Sequence, residues 1–424
     1  MRLLAVALVL IGMALLPGRA MADPNPAFRA RATQLVTILA GPGNEADFFS
    51  PVFIDAIPVD RWRALAADLR RQHGRPVALG ALTQQSATAG QMEVRYERAI
   101  VAITLVIAPD PPNRVVGLRI IGSRQADDSM AAVLRDIAAL PGRSSFAIAR
   151  LTDAGPVLLQ SHHPDQPMAT GSSFKLTVLA ELARAVQAGE RRWSDVIPLG
   201  PKSFSGRLMA WPDRAPITLH SLATAMIAES DNSASDTLLL GLDRDKVDAM
   251  RQRFGIADPR SLPMLTTAEA FALKMPANAE LRRRYEGGTI ADRRALLRDA
   301  ATRLTAAHVD VGTVSENPVA IDTLEWFASP QEEIAQLDWL RRNGGDALSI
   351  MAVNPGIAPA NAKRWRYFGY KGGSEPGVIA MNFLVQAQDG QYYAVSGAWN
   401  DPVARVDEGR FVMLMTRALN LLAD

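Results

Sequence analysis

The segment that most limits how this chain can fold is the run Leu176, Leu179, Leu182, Ala183 and Val186, apolar at spacings of three, three, one and three. That spacing is one face of a helix, and it predicts a helix buried along most of its length. Ser172 stands at its start and Lys175 one turn inside it, within Ala169-Thr170-Gly171-Ser172-Ser173-Phe174-Lys175. Residues i and i+3 share a face, so the amine can reach the hydroxyl, and partial burial would lower the lysine pKa towards that of a useful base. A helix N-terminus also offers unpaired N–H groups and the positive dipole end where an alkoxide or oxyanion would develop. The tetrad alone is modest evidence: with 22 serines and six lysines in the chain, chance supplies about 0.3 Ser-x-x-Lys. A capping serine with a snorkelling lysine explains it equally well.

Composition removes several classes of function. The 424 residues contain no cysteine, which rules out disulfides, thiolate metal sites and a cysteine nucleophile. Of the five histidines only His162 and His163 are neighbours, in a polar stretch that reads as a turn rather than a metal site. With 46 basic against 44 acidic residues, no field is strong enough to make nucleic acid or a membrane surface a main partner. A hydrophobic content of 48% with 21% charged residues is that of a folded, core-forming chain of two or three domains.

The first 22 residues read as a secretory signal. Arg2 precedes an apolar run from Leu3 to Leu16, and Ala20-Met21-Ala22 supplies small residues for cleavage before Asp23. The run is shorter than the roughly 20 residues needed to span a bilayer, so the mature product is expected to be periplasmic or secreted, without a membrane span. Residues 23–123 read as a small α+β module. Phe28, Leu35, Val36 and Leu39, then Trp62, Leu65, Ala66 and Leu69, recur at helical spacing; four β-rich stretches, 77–82, 91–98, 99–107 and 114–121, follow between turn residues. The module has no cluster of titratable residues, which favours binding or scaffolding over chemistry, and its order of elements looks like a cystatin- or NTF2-like domain. Polar residues 123–128 are the expected linker to a second domain, 127–424.

Two further motifs change the weight of the first. Ser230-Asp231-Asn232 occurs once, against a chance expectation of about 0.04. It falls between an amphipathic stretch, 217–228, and the apolar 237–242, where two helices would meet. Tyr370-Lys371-Gly372-Gly373-Ser374 precedes two β-rich stretches and, alone, would read as a basic hairpin edge with a glycine turn. In this order the three motifs resemble the signature of class A β-lactamases and penicillin-binding proteins. From about Ala126 onwards the chain is similar to that family in its order of elements and in the 58 residues between Ser172 and Ser230. The resemblance implies an α+β fold, an antiparallel sheet with a helical lobe, acting without a cofactor on a small-molecule or peptidoglycan-type acyl substrate. It implies that Ser172 is the acylated nucleophile, Lys175 its base or proton shuttle and Ser230 the proton donor to the leaving nitrogen. Asn232, Lys371, Gly373 and Ser374 would bind the substrate, and the N–H groups of Ser172 and Ser374 would form the oxyanion hole.

Two departures limit this transfer. Gly372 lacks the hydroxyl that the family usually directs at the substrate carboxylate, a role left to Ser374. No glutamate occurs between Glu229 and Glu269, where class A enzymes carry the base that clears the acyl-enzyme. Glu325, beside Trp326 and Phe327, could replace it with a raised pKa, although a solvated or capping glutamate is the stronger reading there. Three functions therefore stand open: a serine acyl hydrolase with weak β-lactam or ester turnover, a D-alanyl-D-alanine carboxypeptidase or endopeptidase, and a non-catalytic penicillin-binding sensor. Oligomeric state is not legible in the sequence.

Overall fold

The computed structural model describes residues 25–423, and the expected signal sequence lies outside the described residues. The chain divides into two compact units between Asp128 and Ser129.

In the first unit, helices Pro26–Ala40 and Val59–His73 precede a four-stranded antiparallel meander, Pro76–Gln84, Ala89–Tyr96, Ala99–Ile107 and Val115–Gln125. Asn25 caps the first helix by accepting from the Phe28 amide. Strand Ala99–Ile107 alternates strictly between buried and half-buried residues, as a sheet with one covered face requires. Its buried side joins Phe28, Leu35 and Trp62 in one core. The polar stretch 123–128 is only partly a connection, because its first three residues end the last strand.

The second unit is a five-stranded antiparallel sheet in the order Tyr367–Glu375, Val378–Gln386, Tyr392–Asn400, Arg143–Thr152, Gly155–His162. Side-chain alternation gives each face its own core. Phe146, Ile148, Phe383 and Val395 point to the side covered by Phe411, Leu414 and Leu419 of the C-terminal helix Glu408–Ala423 and by Val133 and Ile137 of helix Met130–Ala138. Ala147, Ala149, Leu384 and Ala394 point to the other side, where helix Pro330–Asn343 lies on the sheet and helix Lys175–Gln187 lies within the helical lobe. Small alanines on this face let helices approach closely. Leu176, Leu179 and Leu182 are all fully buried there, each stabilising by about 1.5–3 kcal/mol.

A buried polar chain connects the sheet to the start of that helix. Ser396 Oγ donates to Asn382 Oδ1 at 2.7 Å, and Asn382 Nδ2 donates to Ser173 Oγ at 3.0 Å. All three residues are buried, so losing one member leaves the others unpaired in a dry place. Asn382→Ala is expected to destabilise by about 1–3 kcal/mol. The check is a lower urea midpoint at unchanged m-value.

Candidate active site

Ser172 does not stand on the α-helix. It lies in a tight 3₁₀ turn, Gly171–Phe174, and Lys175 is the first residue of the α-helix that follows. The turn is held on three sides. Asn400 accepts from the Ala169 amide at 2.8 Å and donates to its carbonyl at 3.0 Å. Thr170 donates from its amide (3.0 Å) and from its hydroxyl (2.8 Å) to the Trp326 carbonyl, and the Trp326 ring stacks on Phe174 at 4.2 Å. On the third side the edge strand Tyr367–Glu375 presses so closely that a Cβ on Gly373 would stand 2.2 Å from the Ser172 nitrogen. Only glycine fits there. The backbone around Ser374 thereby borders the turn as well, its nitrogen 3.3 Å from where a Cβ on Gly171 would lie.

The second motif meets the first through Lys175. Its Nζ donates to the Ser230 carbonyl at 2.7 Å, to Ser230 Oγ at 3.2 Å and to Asn232 Oδ1 at 2.6 Å. Among the described residues no hydrogen bond joins the amine to the Ser172 hydroxyl, which differs from the contact expected from i, i+3 spacing. Ser230 has φ +56, an uncommon conformation for a non-glycine residue and one found at functional sites. Its hydroxyl lies between two amines, because Lys371 Nζ also donates to Ser230 Oγ at 3.1 Å. Lys371 donates in addition to the Gly372 carbonyl. Asn232 Nδ2 is held by Ser205 Oγ at 2.7 Å.

Burial governs the charge state of both lysines. Desolvation lowers Lys175 to about 7, against the opposing pull of Asp236 and Asp231. Desolvation, and then repulsion from Lys175, lower Lys371 well below the ordinary lysine value. A buried amine that is half neutral near pH 7 can accept a proton from a nearby hydroxyl. The Ser230 hydroxyl, bonded to both amines, can relay one.

The acidic residues between the second motif and Thr266 are engaged elsewhere. Asp231 caps helix Asn232–Gly241 through the Ala234 amide and also accepts from the Leu208 amide. Asp236 accepts from the Thr267 amide and hydroxyl and from the Ala268 amide, while burial raises it to about 6. Asp248 pairs with Arg294, and Asp258 with Arg260. Glu325 corrects both earlier readings. It is neither solvated nor a cap but 3% exposed, and it contacts Lys274, which also contacts Glu375 at 2.5 Å. Burial, the largest influence, would raise Glu325, but the Lys274 ammonium together with hydrogen bonds from Glu375, Lys274 and the Trp326 amide makes the net shift downward. Ser205, Lys274 and Glu375 carry no motif, and sequence reading missed them.

The glycines of the third motif lie within the edge strand, and the hairpin turn comes later, at Gly377 with φ +81. Gly372 is required by packing. A Cβ there would meet the Tyr370 hydroxyl at 2.1 Å and the Ala380 carbonyl oxygen at 2.7 Å. The aromatic side chain thus occupies the space a hydroxyl side chain at 372 would need.

Residues 126–305 match the model of the beta-lactamase enzyme family. Over this stretch, which carries the first two motifs, the chain is similar to that family. Solved structures similar to the chain include a β-lactamase from Sphaerobacter thermophilus at 18% identity, covering 69% of this chain and 95% of that one with TM-score 0.47. A β-lactamase from Chitinophaga pinensis matches at 15% identity, covering 69% and 98%, with TM-score 0.48. PBP-A matches at 14% identity, covering 69% and 93%, with TM-score 0.46. No curated protein matches the chain. Among the described residues no helix is long and apolar enough to cross a membrane.

Gly372→Thr is expected to destabilise by about 1–3 kcal/mol as an overpacked site, with partial recovery in Gly372→Thr/Tyr370→Ala. Thermal melting of the two variants checks this.

Proposed function

We propose that the protein is an exported serine acyl hydrolase that acylates readily at Ser172 and deacylates slowly, on a β-lactam, ester or amide. The observation that carries this reading is the Lys175 amine, buried, close to half-neutral and bonded to both Ser230 and Asn232. In the proposed cycle Lys175 takes the proton from Ser172 Oγ as it attacks the carbonyl. The N–H groups of Ser172 and Ser374 stabilise the oxyanion. Ser230, bonded to both amines, passes the proton to the leaving nitrogen, and Asn232 and Lys371 hold the substrate amide and carboxylate. Hydrolysis of the acyl-enzyme then lacks a dedicated base, since the carboxylates of the 231–258 interval are committed to caps and ion pairs. The same geometry suits a D-alanyl-D-alanine carboxypeptidase or endopeptidase, which shares the serine–lysine–serine set and needs no such glutamate. A sensor that acylates and holds the adduct remains its non-turnover form.

Intact-mass spectrometry against a penicillin and a cephalosporin tests this reading. An adduct should form on the wild type, persist for minutes and be absent from Ser172→Ala; rapid substrate loss without an adduct would instead mean that deacylation is intact. The pH profile has a fixed sign. Only the neutral Lys175 amine accepts a proton, so the acylation rate should rise as pH increases through about 7, and a flat profile from pH 5 to 9 would exclude Lys175 as the base.

A further inference from the structure

Lys274, Glu325 and Glu375 form a buried group outside the three motifs. Their side chains are 1%, 0% and 8% exposed. Lys274 ends the helix Thr267–Lys274. Glu375 directly follows Ser374 on the edge strand and, by strand alternation, shares a face with Lys371 and Gly373. Glu325 directly precedes Trp326, whose carbonyl holds Thr170. The contacts close a ring around the two amides of the oxyanion site. From Ser374 it runs through Glu375, Lys274, Glu325 and Trp326 to Thr170 and Ser172, and Gly373 packed on the Ser172 nitrogen completes it. Three ionisable side chains were brought into a dry interior where an apolar trio would fill the same space.

We infer that Lys274, Glu325 and Glu375 are positioning residues, a buried ionic clamp that fixes the edge strand against the Ser172 turn and so sets the Ser172 and Ser374 N–H groups for the oxyanion. The inference rests on the acylation chemistry proposed above. The two carboxyls have unequal tasks. Burial and the facing Glu325 push Glu375 well above the usual carboxylate range, whereas Glu325 remains ionised on Lys274. Lysine, one carboxylate and one carboxylic acid sum to zero charge. The other neighbours of Lys274 are the Phe271 ring, 5.0 Å from Nζ, and Arg282, which donates to its backbone carbonyl at 3.1 Å. No further titratable side chain shifts either carboxyl.

The distinction gives an asymmetric test with a fluorescent penicillin. Glutamine mimics a carboxylic acid but not a carboxylate. Glu325→Gln should slow acylation by about tenfold or more, with little change in non-covalent affinity, because misplaced oxyanion donors act on the transition state. Glu375→Gln should slow it by less than about threefold at pH 7. The clamp predicts that wild-type acylation, after its rise through about pH 7, falls again at alkaline pH, where loss of the Glu375 proton sets two carboxylates against one ammonium, and that Glu375→Gln lacks this fall. Hydrogen exchange of peptides covering 170–174 and 372–376 supplies a second readout that needs no acylation, and it should accelerate in Glu325→Gln alone. Equal effects of the two variants, or no effect of either on a labelling wild type, would overturn the clamp. If the wild type does not label, the acylation reading fails, and the exchange pattern alone decides whether the clamp exists.

Discussion

The site depends on taking one ammonium group out of water. Lys175 is fully buried at the first turn of a helix whose leucines fill the lobe. Desolvation of a lone lysine there would be prohibitive without partners. The chain supplies them from one tripeptide, the carbonyl and hydroxyl of Ser230 and the side chain of Asn232. In that tripeptide Ser230 has a left-handed backbone and Asp231 caps the next helix. Burial also fixes the chemistry, because the same desolvation that makes the lysine costly makes it a base near neutral pH.

Much of this was legible because it is local. The leucine stripe marked the buried helix, and the β-rich stretches correctly marked the returning strands Val378–Gln386 and Tyr392–Asn400. Three short motifs nominated residues that the fold brings within hydrogen-bond reach, Lys175, Ser230, Asn232 and Lys371. What was not legible is what depends on distant pairing. Glu325 read as solvated or capping because its sequence neighbours say nothing of Lys274, 51 residues away, or of Glu375 beyond it. The turn around Ser172 is 3₁₀ rather than α and lies against Gly373 of the edge strand, a contact that periodicity does not record. Gly372 read as a missing hydroxyl, but its smallness answers to Tyr370 two residues earlier, whose ring folds back over the strand.

Hydrogen bonds and charges divide the work around the nucleophile turn. Neutral bonds, from Asn400, Thr170 and the Ser396–Asn382–Ser173 chain, fix the backbone with geometry that does not change with pH. Ionisable groups gather in two places, the lysine pair around Ser230 with Asp231 and Asp236 acting on it, and the group around Lys274. The neutral part of the frame is therefore indifferent to protonation, whereas the lysine pair and the Lys274 group are not.

The sheet order has a consequence for how the unit comes into being. Strand Arg143–Thr152 pairs on one side with Tyr392–Asn400, and the Ala169 amide waits for Asn400, 231 residues later. Contacts of such sequence separation form slowly, after a large loss of chain entropy. A chain growing from its N-terminus can build the helices of the lobe early, but it cannot close the middle of the sheet until its last strand is available. The turn bearing Ser172 is then among the last parts to find its partners. A product ending before residue 400 would not be a smaller version of this unit; it would expose the open edge of an unfinished sheet, the kind of edge through which chains aggregate.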